Sequence, residues 1–140
     1  MPPRELPDTS LDTASAFMRA AGLEVDEATA TRVTGTIAAG PEQHTPWGVV
    51  HGGVYTTAVE SACSVGASLA VLDRGEFAVG LANQTDFLRP HVEGELRVTA
   101  TPIQQGRTQQ LWQCEIARAD DGKLVARGQL RLQNVPLRDG

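Results

Sequence analysis

The segment Val54–Leu72 contains no proline, lysine or arginine. Its apolar residues Ala58, Val59, Ala62, Val65, Ala67, Leu69, Val71 and Leu72 would cover most of the circumference of one long helix. A helix that is apolar nearly all round is buried by the rest of its chain. The remaining stripe is Thr56, Glu60, Ser64 and Ser68, spaced four apart and therefore on one face. A solvated face carries long charged side chains. This one carries small hydroxyls and one carboxylate, which suits close contact with another surface.

A buried helix needs a cover, and the flanking segments supply strands. Thr31–Ala39 alternates, with Val33, Gly35, Ile37 and Ala39 on one side and Thr34 and Thr36 on the other. After the helix, Phe77, Val79 and Leu81 alternate with small residues. Leu96, Val98 and Ala100 follow, then Trp112, Cys114 and Ile116, then Leu124, Ala126, Leu130 and Leu132. Turn signals fall at Pro90–Gly94, Gln105–Gly106 and Asp120–Asp121–Gly122, the last a hairpin signature. Short connections favour antiparallel pairing. One apolar face per strand predicts an α+β domain: a five-stranded antiparallel sheet wrapped around the long helix. Upstream, Ser10 or Asp12 is placed to cap a short helix over Ala14–Ala21, with Gly22 at its end. Met1–Thr9 reads as a loose arm before one domain spanning residues 1–140.

Composition narrows the function classes. Twelve Lys and Arg against 17 Asp and Glu leave a net charge of −5, with no basic run to meet nucleic acid or anionic membrane. No apolar stretch reaches the ~18 residues of a membrane span. MPPRELPDTSLD lacks the basic start and apolar core of a signal peptide, so a cytoplasmic location is expected. The two cysteines, Cys63 and Cys114, make neither a disulfide framework nor a CxxC pair. Cys63 reads as core rather than nucleophile. His44, His51 and His91 have no metal-ligand spacing, so no metal or cofactor is expected.

Gly48-Val49-Val50-His51-Gly52-Gly53 leads directly into the helix. Glycines there let a ligand approach the backbone, and the first helical N–H groups have no intrahelical partner. With the helix dipole they suit a negative charge, including a developing oxyanion. His51 would adjoin that site; equally, Gly52 and Gly53 serve a tight turn and His51 caps it. Glu60 is a carboxylate in an otherwise cation-free, apolar helix. Buried, it becomes a candidate general base; exposed along its stripe, it is simply solvated. Gly52 and Glu60 lie eight residues apart, about 12 Å along one helix axis at ~1.5 Å per residue. They cannot both touch one carbonyl from the same chain, so a site using both needs two chains.

The run HTPWGVVHGGVYTTAVESACSVGASLA, His44–Ala70, resembles the signature of hotdog-fold thioesterases. It is most similar to the branch holding the phenylacetate-pathway, 4-hydroxybenzoyl-CoA and 1,4-dihydroxy-2-naphthoyl-CoA enzymes. The downstream VGLANQTDFLRPHVEGELRVTATPIQQGRTQQLWQCEI follows the same pattern. The resemblance implies an acyl-CoA thioesterase with a homodimeric, often tetrameric, assembly. By it Glu60 is the catalytic nucleophile or general base, and Gly52 is the N–H donor to the thioester carbonyl. His51 adjoins that site, with Gly53 beside it against the substrate. Ser64 holds the water or the carboxylate. Thr45 stands where the branch usually has Gln or Asn. Arg89 and Arg107 fall near strand ends where relatives hold CoA phosphates. The alternatives are a non-catalytic binder of an acyl-CoA or acyl-carrier thioester, and a hotdog dehydratase, whose Asp/His pair is not found.

Overall fold

The computed structural model describes residues 5–138. Over these the chain forms helices α1 (Ala16–Ala21) and α2 (Gly52–Leu69) and six strands. The strands are β1 (Leu23–Thr29), β2 (Arg32–Ala39), β3 (Glu76–Phe87), β4 (Gly94–Gln105), β5 (Gln109–Arg118) and β6 (Leu124–Pro136). They make one sheet in the order β1-β2-β4-β5-β6-β3, every pairing antiparallel. This is the hotdog architecture, a sheet curled around one long helix.

Small residues let α2 sit close on the sheet. A Cβ on Gly66 would fall 2.4 Å from the ring of Trp112, and one on Gly128 would fall 3.0 Å from Val59. Val59, Cys63 and Ala67 are fully buried there, as is Trp112. The contact is anchored by a buried polar group. The Gln110 amide donates to the Ala67 carbonyl and to Asn134 Oδ1, each at 2.9 Å, and Gln110 Oε1 accepts from the Trp112 indole at 2.8 Å. Helix, β5 and β6 are thereby tied at one buried side chain whose polar atoms are all used.

The structure departs from the sequence expectation in four places. The sheet has six strands, not five: β1 is an edge strand carrying Glu24, Asp26 and Glu27, with a bulge between Val25 and Glu27. Charge and a bulge suit an exposed edge, and together they erase the apolar alternation. Secondly, α2 runs from Gly52 to Leu69 rather than from Val54 to Leu72, so the glycines are its first turn. Thirdly, α1 is capped neither by Ser10 nor by Asp12. Ser15 Oγ accepts from the Met18 N–H, while Gly22 ends the helix at φ 82°. Fourthly, β3 does not lay its large apolar residues on the helix. Phe77, Val79 and Leu81 stay 37%, 40% and 54% exposed, and Ala78 is what α2 covers. The stripe of α2 facing this edge approaches too closely for larger groups: Ser68 Oγ accepts from the Ala78 N–H at 3.1 Å. Of the expected arm, residues 1–4 lie outside the described residues, and Glu5, Leu6, Pro7 and Thr9 line a cavity with Ser64 and Ser68.

Candidate functional site

The loop before α2 is built by its own backbone. His44 and Val50 pair as an isolated bridge, the Thr45 N–H donates to the Val49 carbonyl at 2.7 Å, and the Gly48 N–H donates to the Thr45 carbonyl at 3.0 Å. The Val50 N–H reaches the His91 carbonyl at 2.8 Å, and His44 Nε2 donates to the Val92 carbonyl at 2.6 Å. The β3–β4 connection is thus fastened to the helix entrance. Arg118 holds it from the other side, donating to the Pro90 carbonyl at 2.8 Å and pairing with Asp121 at 3.1 Å.

The orphan donors of the helix start are treated unequally. The Gly53 N–H donates to His51 Nδ1 at 2.8 Å, and the Val54 N–H donates to the His51 carbonyl at 3.0 Å. His51 is therefore the cap, in the tautomer whose Nδ1 accepts. Among the described residues the Gly52 N–H has no partner. It is a strong donor at this positive helix end left for an outside acceptor.

Thr45, Gly52 and Arg89 come together as walls of one cavity of ≈ 320 Å³. Sequence reasoning missed two further walls, Tyr55 and Phe87, whose rings tilt together with centroids 5.9 Å apart. A Cβ on Gly52 would fall 2.4 Å from the Phe87 ring, so glycine is required there by close approach. The Tyr55 hydroxyl is buried without a hydrogen-bond partner among the described residues, and burial holds its pKa above the ordinary phenol range, opposed by Arg118. Nothing in the sequence marks Tyr55, which reads as one more apolar helix position. Asn83 and Thr85 were also missed. Asn83 donates to the Thr56 carbonyl at 3.0 Å and accepts from Thr85 at 2.7 Å, and the polar run Asn-Gln-Thr-Asp within an apolar strand pattern was their signal.

His51 and Gly53 line a different cavity of ≈ 410 Å³ on the α1 side of the helix start. Ser64 lines the cavity of ≈ 440 Å³ under Glu5–Thr9. Glu60 is not buried in the single chain, so of its two sequence readings the exposed one holds there. Its carboxyl lies beside β3, 3.8 Å from where a Cβ on Gly80 would be. Arg89 donates to the Leu124 carbonyl at 2.9 Å and keeps an exposed side chain. Arg107 does not join the others. Its carbonyl accepts from Asn134 at 3.2 Å and from Arg74 at 3.5 Å, beyond the C-terminal end of α2. Cys63 is the inert core thiol expected of it: neighbouring Cys114 first, and burial second, push its pKa far up.

Residues 48–125 match the thioesterase superfamily model. The chain belongs to the thioesterase superfamily.

Within the superfamily it is 46% identical over 93 residues to a candidate esterase of Mycobacterium tuberculosis, Rv1847, covering 65% of this chain and 66% of that protein. The match thus spans just under two thirds of that relative's length. The solved structure of the same relative superposes with a TM-score of 0.84 at 38% identity, over 89% of this chain and 100% of that one. AziG of S. sahachiroi follows at 0.82 and 36%, over 88% and 98%. A thioesterase of Haemophilus influenzae gives 0.81 and 30%, over 90% and 87%. In this thioesterase-superfamily chain no helix among the described residues is long and apolar enough to cross a membrane.

Proposed function

We propose that the protein is an acyl-CoA thioesterase that hydrolyses a thioester to a carboxylate and a free thiol, at a site shared by two copies of the chain. The observation that carries the reading is the Gly52 N–H, unpartnered at the start of α2, in a residue that lines the cavity together with Thr45 and Arg89. It would polarise the thioester carbonyl, and the helix dipole would favour the developing oxyanion. Glu60 of the other copy would either attack the carbonyl carbon, expelling the thiolate and forming an acyl anhydride that a water then cleaves, or take a proton from a water that attacks that carbon as the thiolate leaves. One helix spaces Gly52 and Glu60 by about 12 Å, which is why the two come from different chains. His51 acts through Gly53, fixing the first turn so that Gly52 points outward. Arg89, exposed at the rim, is placed for a CoA phosphate, and Ser64 is one turn beyond the carboxylate. Exposure of Glu60 and of the apolar β3 edge supports a homodimer built along that edge, with a dimer of dimers as the larger form.

The acyl group is aromatic or of medium length, as in the branch acting on phenylacetate-type and hydroxybenzoyl thioesters, and the reaction runs in the cytoplasm. The test is thiol release across aliphatic and aromatic acyl-CoAs, wild type beside Glu60→Gln. Turnover lost in the variant supports the reading; equal turnover in both ends it.

One observation favours a second reading, a protein that binds the thioester without hydrolysing it. Thr45 Oγ1 accepts from the Trp47 N–H at 3.2 Å within its own loop, where the branch usually carries a longer amide. Binding of acyl-CoA without thiol release would decide for it.

A further inference from the structure

Trp47 is 86% exposed, the most exposed large hydrophobic residue among those described. Its loop is not loose: three hydrogen bonds close it, from Thr45 to Val49, Gly48 to Thr45 and Trp47 to Thr45 Oγ1. Gly48 turns the chain just after the indole at φ 78°, a conformation that favours glycine. An indole carried into water on a loop closed by its own hydrogen bonds offers a large apolar surface of the kind enriched at interfaces.

The complementary feature is the ≈ 440 Å³ cavity between Glu5–Thr9 and α2. Ser64, Val65 and Ser68 form its helix wall, Leu72 and Phe77 close it, and Glu5 is the one charged residue lining it. Its apolar walls suit an apolar occupant.

Symmetry connects the two, resting on the two-chain site proposed above. If Gly52 of one copy faces Glu60 of the other, the two-fold axis passes beside Thr56, midway between them. Every contact across such an axis occurs twice. The chain four residues before Gly52 then approaches the partner's helix four residues after Glu60, so the loop of Trp47 and Gly48 comes to Ser64 and Val65. We propose that Trp47 of each copy docks into this cavity of the other and forms a wall of its acyl pocket, so that the indole sets which acyl groups fit beside Glu60.

The chain has two tryptophans, and Trp112 is fully buried. Acrylamide quenching of tryptophan emission therefore reports Trp47, with Trp47→Phe giving the Trp112 signal alone. Light scattering fixes the assembly state in the same samples. The proposal expects wild-type dimer to resist quenching as Trp47→Phe does, and dilution to monomer to expose a readily quenched component. A readily quenched component in the intact dimer, or a chain that is monomeric throughout, overturns it. The specificity half is read with a series of acyl-CoAs. Trp47→Ala, shown by light scattering to remain dimeric, should lose at least about tenfold in kcat/KM on the best wild-type substrate. It should gain on bulkier acyl groups, and an unchanged acyl profile overturns this half. Quenching does not depend on catalysis, so a protected Trp47 in a dimer that hydrolyses no acyl-CoA upholds the docking while the hydrolase reading falls.

Discussion

The two faces of α2 obey different rules. The face on the sheet is settled by volume: Val59, Cys63 and Ala67 are fully buried, and Gly66 admits Trp112 where a methyl would collide. The opposite stripe begins with Thr56 half-buried, runs through exposed Glu60 and half-buried Ser64, and reaches burial only at Ser68. One face is complete within one chain and the other is not. A helix apolar nearly all round therefore carries two kinds of information: packing that any substitution disturbs, and a stripe whose small polar residues cost nothing in packing and are free to serve chemistry.

Substitutions that act on one face and spare the other probe this contrast. Glu60→Gln should lower thiol release from acyl-CoA by about two to four orders of magnitude. An exposed side chain moves stability by only about 0.5 kcal/mol, so its urea midpoint should match wild type. A shifted midpoint would mean that the stripe is packing after all. Trp112→Ala should do the reverse, costing about 3–5 kcal/mol in urea unfolding through the cavity it leaves. It also leaves Gln110 Oε1 without its closest donor. Ser68→Ala, where the stripe becomes buried, should cost about 1–3 kcal/mol, because the Ala78 N–H loses its acceptor in a dry environment. A neutral result there would move the border between the faces one turn later.

The smallest effect is expected far from both faces, at the β5–β6 turn. The Lys123 N–H, and then Arg118, hold the Asp121 carboxyl below the ordinary carboxylate range. A carboxylate depressed on folding stabilises above its unfolded-state pKa and loses that contribution as pH falls through the folded value. Asp121→Asn should therefore be slightly less stable than wild type at neutrality, with the difference vanishing as pH falls below about 4, so that the acid limb is flatter. An unchanged acid limb would remove Asp121 from the account.

Where the sequence was legible, composition or spacing carried a physical demand. A cation-free run can only be buried, so α2 and the strands that wrap it were visible, as was the glycine start before it. β1 was not, because an edge strand keeps its solubility with Glu24, Asp26 and Glu27 and so hides its apolar period. β3 misled for a related reason: its large residues were read as core, but toward the stripe of α2 this edge turns Ala78, Gly80 and Asn83. In the candidate site, Thr45, Gly52 and Arg89 were named and do meet. Tyr55 and Phe87 were not, since an aromatic in an apolar pattern looks like core until its neighbours are known. Arg107 shows the converse, an Arg at a strand end that the fold places at the far end of the helix.

In the proposed enzyme each reaction centre takes Gly52 from one chain and Glu60 from another. Subunit complementation tests it most directly. Gly52→Pro, made together with Phe87→Ala because an added Cβ would otherwise meet the Phe87 ring, removes the N–H at a first-turn position whose backbone suits proline, and Glu60→Gln removes the carboxylate; each alone should be inactive. Unfolded together and refolded at equal amounts, the two variants form mixed dimers in which one of two sites has both groups intact. Thiol release should then recover to about a quarter of wild type, the share of intact sites under random pairing. Mixed dimers, verified by mass, that remain inactive would contradict the shared site.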